Sequence, residues 1–263
     1  MKKKKGDKIM TKRFGFTLAE VLITLGIIGV VAAMTIPTLI ANTNSAKFRS
    51  QFKKTISTLN QAGLMAQAQF DIDYSTNDNA NTVCDENASP NATTPNYSLC
   101  GIFNGTLAGH TIMEPTAIGT YLVTPANGTG ETAATASASG KPTGTLTADG
   151  SSNNYTKYLK LADGSMVAFS SSAHGCSKQI GEILDTTWTG AHPTCVGFID
   201  VNGVTLPNKE VKCGGTTATE VTNGTCEVPN DANHMTDIYP VAFHDATVEP
   251  LTNAARYVLT TSK

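Results

Sequence analysis

Three groups of residues could do chemistry. His174, Cys176, His192 and Cys195 bring imidazoles and thiols together at short spacing, the donor set of a zinc site. A disulfide between Cys176 and Cys195 competes for the same sulfurs, and in a chain with six cysteines it is the better reading if the chain enters an oxidising compartment. Asp200-Val201-Asn202-Gly203 sets oxygen ligands at alternate positions, as the opening of a calcium loop does. The twelve-residue pattern is not completed, because 208–210 read Asn-Lys-Glu, although Asp237 is a further acid that could join. An Asx turn between strands is the preferred reading there, and no cofactor is expected. The third group is the serines and five histidines of a hydrolase, but the chain has no GxSxG, no HExxH and no glycine-rich phosphate loop with lysine. No catalytic residue is assigned, and an enzyme is not expected.

The charge is unevenly placed. Seven of the 19 Lys and Arg residues precede residue 16, against the single acid Asp7, so the formal charge of -2 hides a basic start and a body of about -8. An acidic body without a basic stripe argues against nucleic-acid binding. After the basic stretch, 16–40 reads FTLAEVLITLGIIGVVAAMTIPTLI, which as a helix spans roughly 37 Å, enough to cross a bilayer core. The basic side stays in the cytoplasm. A secretory signal peptide is the competing reading, but the apolar run is long and a helical pattern continues past it.

Glu20 interrupts that run, and a carboxylate in hydrocarbon needs a partner or an interfacial position. No Lys or Arg occurs between Arg13 and Lys47. A free amine made by cleavage just before Phe16, on the same helix or a neighbouring copy, would supply the partner. Gly29 and Ala33 form a small-xxx-small pair, a weak signal for close helix approach.

Gly15-Phe16-Thr17-Leu18-Ala19-Glu20, after a basic leader and before a long apolar helix, resembles the N-terminus of type IV prepilins and type II secretion pseudopilins. The resemblance covers about 40 residues. It implies that a prepilin peptidase cuts after Gly15 and methylates the new amine of Phe16. It also implies that Glu20 serves assembly with other pilin or pseudopilin subunits, and that Pro37 is the family's helix-breaking proline. Met10 is an alternative start, leaving the short leader MTKRFG.

Downstream, Phe48, Phe52, Ile56, Leu59, Gly63, Ala66 and Phe70 recur three or four apart, with Lys47, Arg49, Lys53 and Lys54 on the other faces. This predicts one helix over 16–70 whose second half packs on a domain. The stretch 71–119 is rich in Asn, Thr, Asp and Pro and is predicted irregular; 125–154 holds one large aliphatic residue, Leu146, and is predicted a mobile surface loop. Asp163-Gly164 is a turn signal between 157–161 and 166–169, and 195–201 and 238–243 read as two more strands. The stretches CVGFIDVNGVTLPN and DIYPVAF also resemble, more loosely, the C-terminal sheet of pseudopilin-like proteins. Six cysteines allow 15 connectivities. Their order suggests Cys84 with Cys100, Cys176 with Cys195 and Cys213 with Cys226.

The fold expected is α+β and pilin-like: a long N-terminal helix, half membrane and half amphipathic, packed on a C-terminal four-stranded antiparallel sheet. The organisation expected is a leader over 1–15, a transmembrane or filament-core helix over 16–40, its amphipathic continuation over 41–70 and an exported disulfide-containing domain over 71–263. The function expected is a structural subunit, single-pass in the inner membrane with its N-terminus cytoplasmic, later in a filament in the periplasm or at the cell surface. The alternative is a non-polymerising anchored or tip-located binding protein, adhesin-like or calcium-binding.

Overall fold

Thr17 and Glu20 start the first helix. The Glu20 amide donates to Thr17 Oγ1 at 3.2 Å and the Thr17 amide donates to Glu20 Oε2 at 2.8 Å, a reciprocal capping box. Helix α1 then runs Leu18–Phe70 with Pro37 inside it. The computed structural model describes residues 15–76, 84–91, 97–114, 117, 121–122, 145–146, 155–171, 173, 175–177, 195–213, 226–230 and 235–261. Residues 1–14 with Met10, the 125–154 loop apart from 145–146, and both His174 and His192 lie outside them. The chain divides into two compact units after Ile40.

In the first unit the apolar side chains of α1 are exposed all round, among them Leu22, Ile27, Val31, Ile36 and Leu39. A helix apolar on every face requires an apolar surrounding. By length and composition it is long and apolar enough to cross a membrane. Around Pro37, which lacks an amide donor, Thr35 Oγ1 donates to Val31 O at 3.0 Å and Thr38 Oγ1 to Thr35 O at 2.9 Å.

In the second unit α1 buries one stripe: Phe48, Phe52, Ile56, Leu59, Ala62 and Ala66. Phe52 stacks on Tyr239 with ring centroids 4.1 Å apart. Gly63 has a steric reason, because a Cβ there would meet Ala246 O at 2.5 Å, so only glycine lets the helix backbone come this close. Beside it Val248 N donates to Asn60 Oδ1 at 2.5 Å and the Tyr74 hydroxyl donates to Leu59 O at 2.8 Å. Arg49, expected on an outer face, is instead buried, and its Nη2 donates to Val228 O and Pro229 O, both at 2.7 Å. These two carbonyl acceptors meet part of the hydrogen-bonding demand of a buried guanidinium.

The sheet has six strands, two more than predicted. Strands β1 (Thr111–Met113), β4 (Lys157–Lys160), β5 (Met166–Phe169), β6 (Val196–Asp200), β7 (Ile238–His244) and β8 (Thr247–Pro250) lie in the order β1-β4-β5-β6-β7-β8, every pair antiparallel. The four predicted strands form its centre, and β1 and β8 are the additional edges. A separate antiparallel pair joins β2 (Tyr121–Leu122) to β3 (Thr145–Leu146), so 145–146 of the predicted loop form a short strand. The Asp163-Gly164 turn closes the β4–β5 hairpin, with Gly164 at φ 88° and Asp163 Oδ1 accepting from the Ser165 amide at 3.1 Å.

The stretch predicted irregular holds α2 (Leu99–Thr106), started by Ser98, whose side chain accepts from the Gly101 amide. A last helix, α3 (Asn253–Thr260), is capped in the same way by Thr252. Disulfides join Cys84 to Cys100, Cys176 to Cys195 and Cys213 to Cys226. Among the described residues no cysteine is free. The architecture is α+β and pilin-like, with the second half of the helix on an antiparallel sheet.

Candidate functional site

Two places in the chain carry residues singled out by their chemistry. At the first, an added Cβ on Gly15 would meet nothing within 4 Å among the described residues. The packing of the described residues therefore makes no demand for glycine here. Phe16 is 88% exposed. Glu20 Oε2 accepts from both the amide and the hydroxyl of Thr17, at 2.8 and 2.9 Å. Among the described residues no cation pairs with Glu20. Thr17 is the residue that reasoning on apolarity missed; the Thr17-x-x-Glu20 spacing is a capping-box signature and would have found it.

The zinc reading loses its thiolates, because Cys176 and Cys195 are covalently joined to each other. Among the described residues no group of three or more His, Cys, Asp and Glu could hold a metal ion.

The second place is the β6–β7 end of the sheet. Asp200 closes β6 and pairs in register with Ile238, which brings it beside Asp237; both carboxylates are fully buried. The Asn202 amide N–H donates to Asp200 Oδ1 at 3.1 Å, the Asx turn read from the sequence. Asn202 Nδ2 donates to Leu206 O at 3.2 Å. Asp237 accepts from the Asn208 amide at 2.9 Å and the Lys209 amide at 2.7 Å. The structure thus brings Asp200, Asn202 and Asp237 together and adds Asn208 and the Leu206 carbonyl, which loop spacing alone did not include.

Burial pushes the Asp237 carboxyl up to about 6, against the backbone donors of Lys209 and Asn208 that pull it down. An unfolded aspartate titrates near 4, so between about pH 4 and 6 the folded chain keeps a proton that the unfolded chain releases. The stabilisation is fully present below about pH 4 and is lost as the pH rises through 6, by up to about 3 kcal/mol. In EDTA, urea unfolding should show wild type losing about that much relative to Asp237→Asn between pH 4 and 7. A pH-independent difference would mean that Asp237 titrates as in the unfolded chain.

Residues 10–36 match the model of the prokaryotic N-terminal methylation motif, the cleavage segment of type IV prepilins and pseudopilins. No curated protein and no solved structure matches the chain. The chain is a prepilin-like protein, with that motif at the head of its apolar helix and a pilin-like fold. The motif implies processing by a prepilin peptidase.

Proposed function

We propose that this protein is a non-enzymatic structural subunit, cut between Gly15 and Phe16, methylated at Phe16 and assembled into a type IV pilus-like or type II secretion filament. The observation that supports the reading is the methylation motif standing on a helix whose apolar side chains are exposed on every face. Before assembly the bilayer covers that surface, with the leader in the cytoplasm and residues beyond the span exported. In the filament, neighbouring copies cover it, through a heterologous contact that repeats without closing.

Glu20 sets the register. Cleavage creates an amine on Phe16, and in the filament that amine on a neighbouring copy faces the Glu20 carboxylate. The Thr17 donors occupy Oε2, which leaves Oε1 for the incoming charge. The capping box thereby orients the carboxylate for its partner. Pro37 marks where the helix can open its ladder during extraction from the membrane.

The test is mass spectrometry of the mature N-terminus from cells that carry a prepilin peptidase. The expected chain starts at Phe16 with a methylated amine. A start after Ala33 or later would replace this reading with an ordinary signal peptide.

A further inference from the structure

We infer that the turn after β6, over 201–209, docks the second unit on an anionic bilayer surface, with Val204 and Leu206 entering the headgroup layer and the lysines around them meeting phosphates. The inference rests on the membrane-bound stage of the proposed function. Strand register defines the place. Lys160 pairs with Met166, Met166 with Asp200 and Asp200 with Ile238, so these four residues mark one end of the sheet. Helix α1 enters the unit at that same end. Phe52 stacks on Tyr239 and Lys54 pairs with Asp163 at 3.0 Å, and only later in α1 does Asn60 accept from the Val248 amide of β8. The end that carries the turn is therefore the one the chain reaches first after its apolar stretch.

Two observations give the turn its partner, and the first is apolar surface. Among the described residues of the second unit, the large apolar side chains left exposed are Leu64, Met65, Val204 and Leu206. Leu206, at 78%, is the most exposed of them, and Val204 stands at 55%. Asn202, Gly203, Pro207 and Asn208 supply the turn chemistry, so the two aliphatic residues are not what makes the chain turn. The loop that presents them is backed by a second one: Gly203 has φ 68°, and a Cβ there would lie 3.0 Å from Gly164 O of the β4–β5 hairpin.

The second observation is charge. The chain is acidic beyond Phe16, yet the described exposed charges at this end are mainly basic: Lys47, Lys54, Lys160 and Lys209 against Asp163, already paired with Lys54, and Glu227. Asp200, Glu210 and Asp237 lie here too, but buried within the unit. The opposite end has the reverse sign. Asp245 sits in the β7–β8 turn, its carbonyl accepts from the Tyr74 amide and so brings Asp73 close, and Lys157 at that end is paired with Glu114. An apolar tip ringed by ammonium groups suits an anionic bilayer: the aliphatic carbons leave water at the acyl boundary while the lysines stay level with the phosphates. Lys47 follows Ile40 by seven residues, about 10 Å of helix, close to the roughly 5–8 Å depth of a headgroup layer. Docking holds the unit on the membrane before assembly, so anionic lipid opposes extraction of the helix.

The test is fluorescence of the full chain carrying Leu206→Trp in nanodiscs of phosphatidylglycerol or phosphatidylcholine, with or without bromine on the upper acyl chains, at one or several chains per disc. The parent chain, whose one tryptophan is Trp188, supplies the background. In phosphatidylglycerol the new fluorophore is expected to emit at shorter wavelength than in detergent and to lose about half its intensity or more to brominated lipid, against about a fifth in phosphatidylcholine. Adding Lys47→Gln and Lys209→Gln, both at exposed side chains, should bring the phosphatidylglycerol value down to the phosphatidylcholine one at an unchanged melting temperature. A chain that enters the discs but whose position 206 emits as in detergent and ignores bromine overturns the inference and leaves the membrane-spanning reading standing. A blue shift that grows with the number of chains per disc and ignores bromine also overturns it, and gives the turn to a second copy. A chain that stays out of the discs overturns the spanning reading together with this one.

Discussion

Glu20→Ala is expected to leave the chain cut before Phe16 and methylated, and to abolish filaments. On the proposed processing, the scissile bond lies between Gly15 and Phe16, so a change five residues on from Gly15 does not touch it. Assembly is different, because in the proposed filament each subunit would move its Phe16 amine out of reach of water and would need the carboxylate of a neighbour there. Removing one partner of a buried charge pair costs about 3–5 kcal/mol, since the remaining charge stays unpaired. In a repeating contact that loss recurs at every subunit.

The alanine variant also breaks the capping box, worth about 1 kcal/mol, so a second variant separates the two roles. Glu20→Gln keeps a side chain that can cap from the same position but cannot form an ion pair. Both variants are expected to accumulate as processed, membrane-bound chain with no filaments in the sheared fraction. Filaments of normal yield from Glu20→Gln would assign Glu20 to capping alone.

Phe52→Ala is expected to lower stability by about 3–5 kcal/mol, as truncation of a fully buried aromatic side chain does. For a domain of this size that is a fall in melting temperature on the order of 10 °C. The ring lies against Tyr239, in the strand next to β6, so the cost includes the stacked contact as well as buried area. Thermal unfolding of the full chain in detergent, followed by circular dichroism, measures it. Leu64→Ala, on the exposed side of the same helix, serves as the matched control and should change the melting temperature little. Equal effects from the two would mean that the second half of α1 is not part of the domain core.

What was legible in the sequence follows from how local the signal is. The stripe from Phe48 to Ala66 announces its buried face through spacing alone, and Asp163-Gly164 announces its hairpin through one glycine at φ 88°. Strand β8 gave no such sign. Its turn passes through Asp245 at φ 47° and Ala246, without glycine or asparagine, and it is held by Asn60 of α1. Helix α2 contains two glycines and has weak intrinsic preference; the Ser98 cap and the Cys84–Cys100 bridge hold it in place. Arg49 looked like a solvated base because a sequence does not show that the carbonyls of 228 and 229 return to meet it.

The candidate site divides in the same way. Gly15, Phe16 and Glu20 sit within six residues and read as a motif. The pairing of Asp200 with Asp237 is set by the β6–β7 register, and Asn208 enters through its own bond to Asp237. No spacing rule along the chain expresses a cluster assembled by strand pairing.

The central claim is that this chain becomes part of a filament, and the most direct measurement is mass spectrometry of filaments sheared from cells that express it. The result expected is this chain in the sheared filaments, beginning at N-methylated Phe16 and absent from them when Glu20 is replaced. Processed chain that stays wholly in the membrane fraction while filaments form without it would contradict the account and favour an anchored, non-polymerising protein.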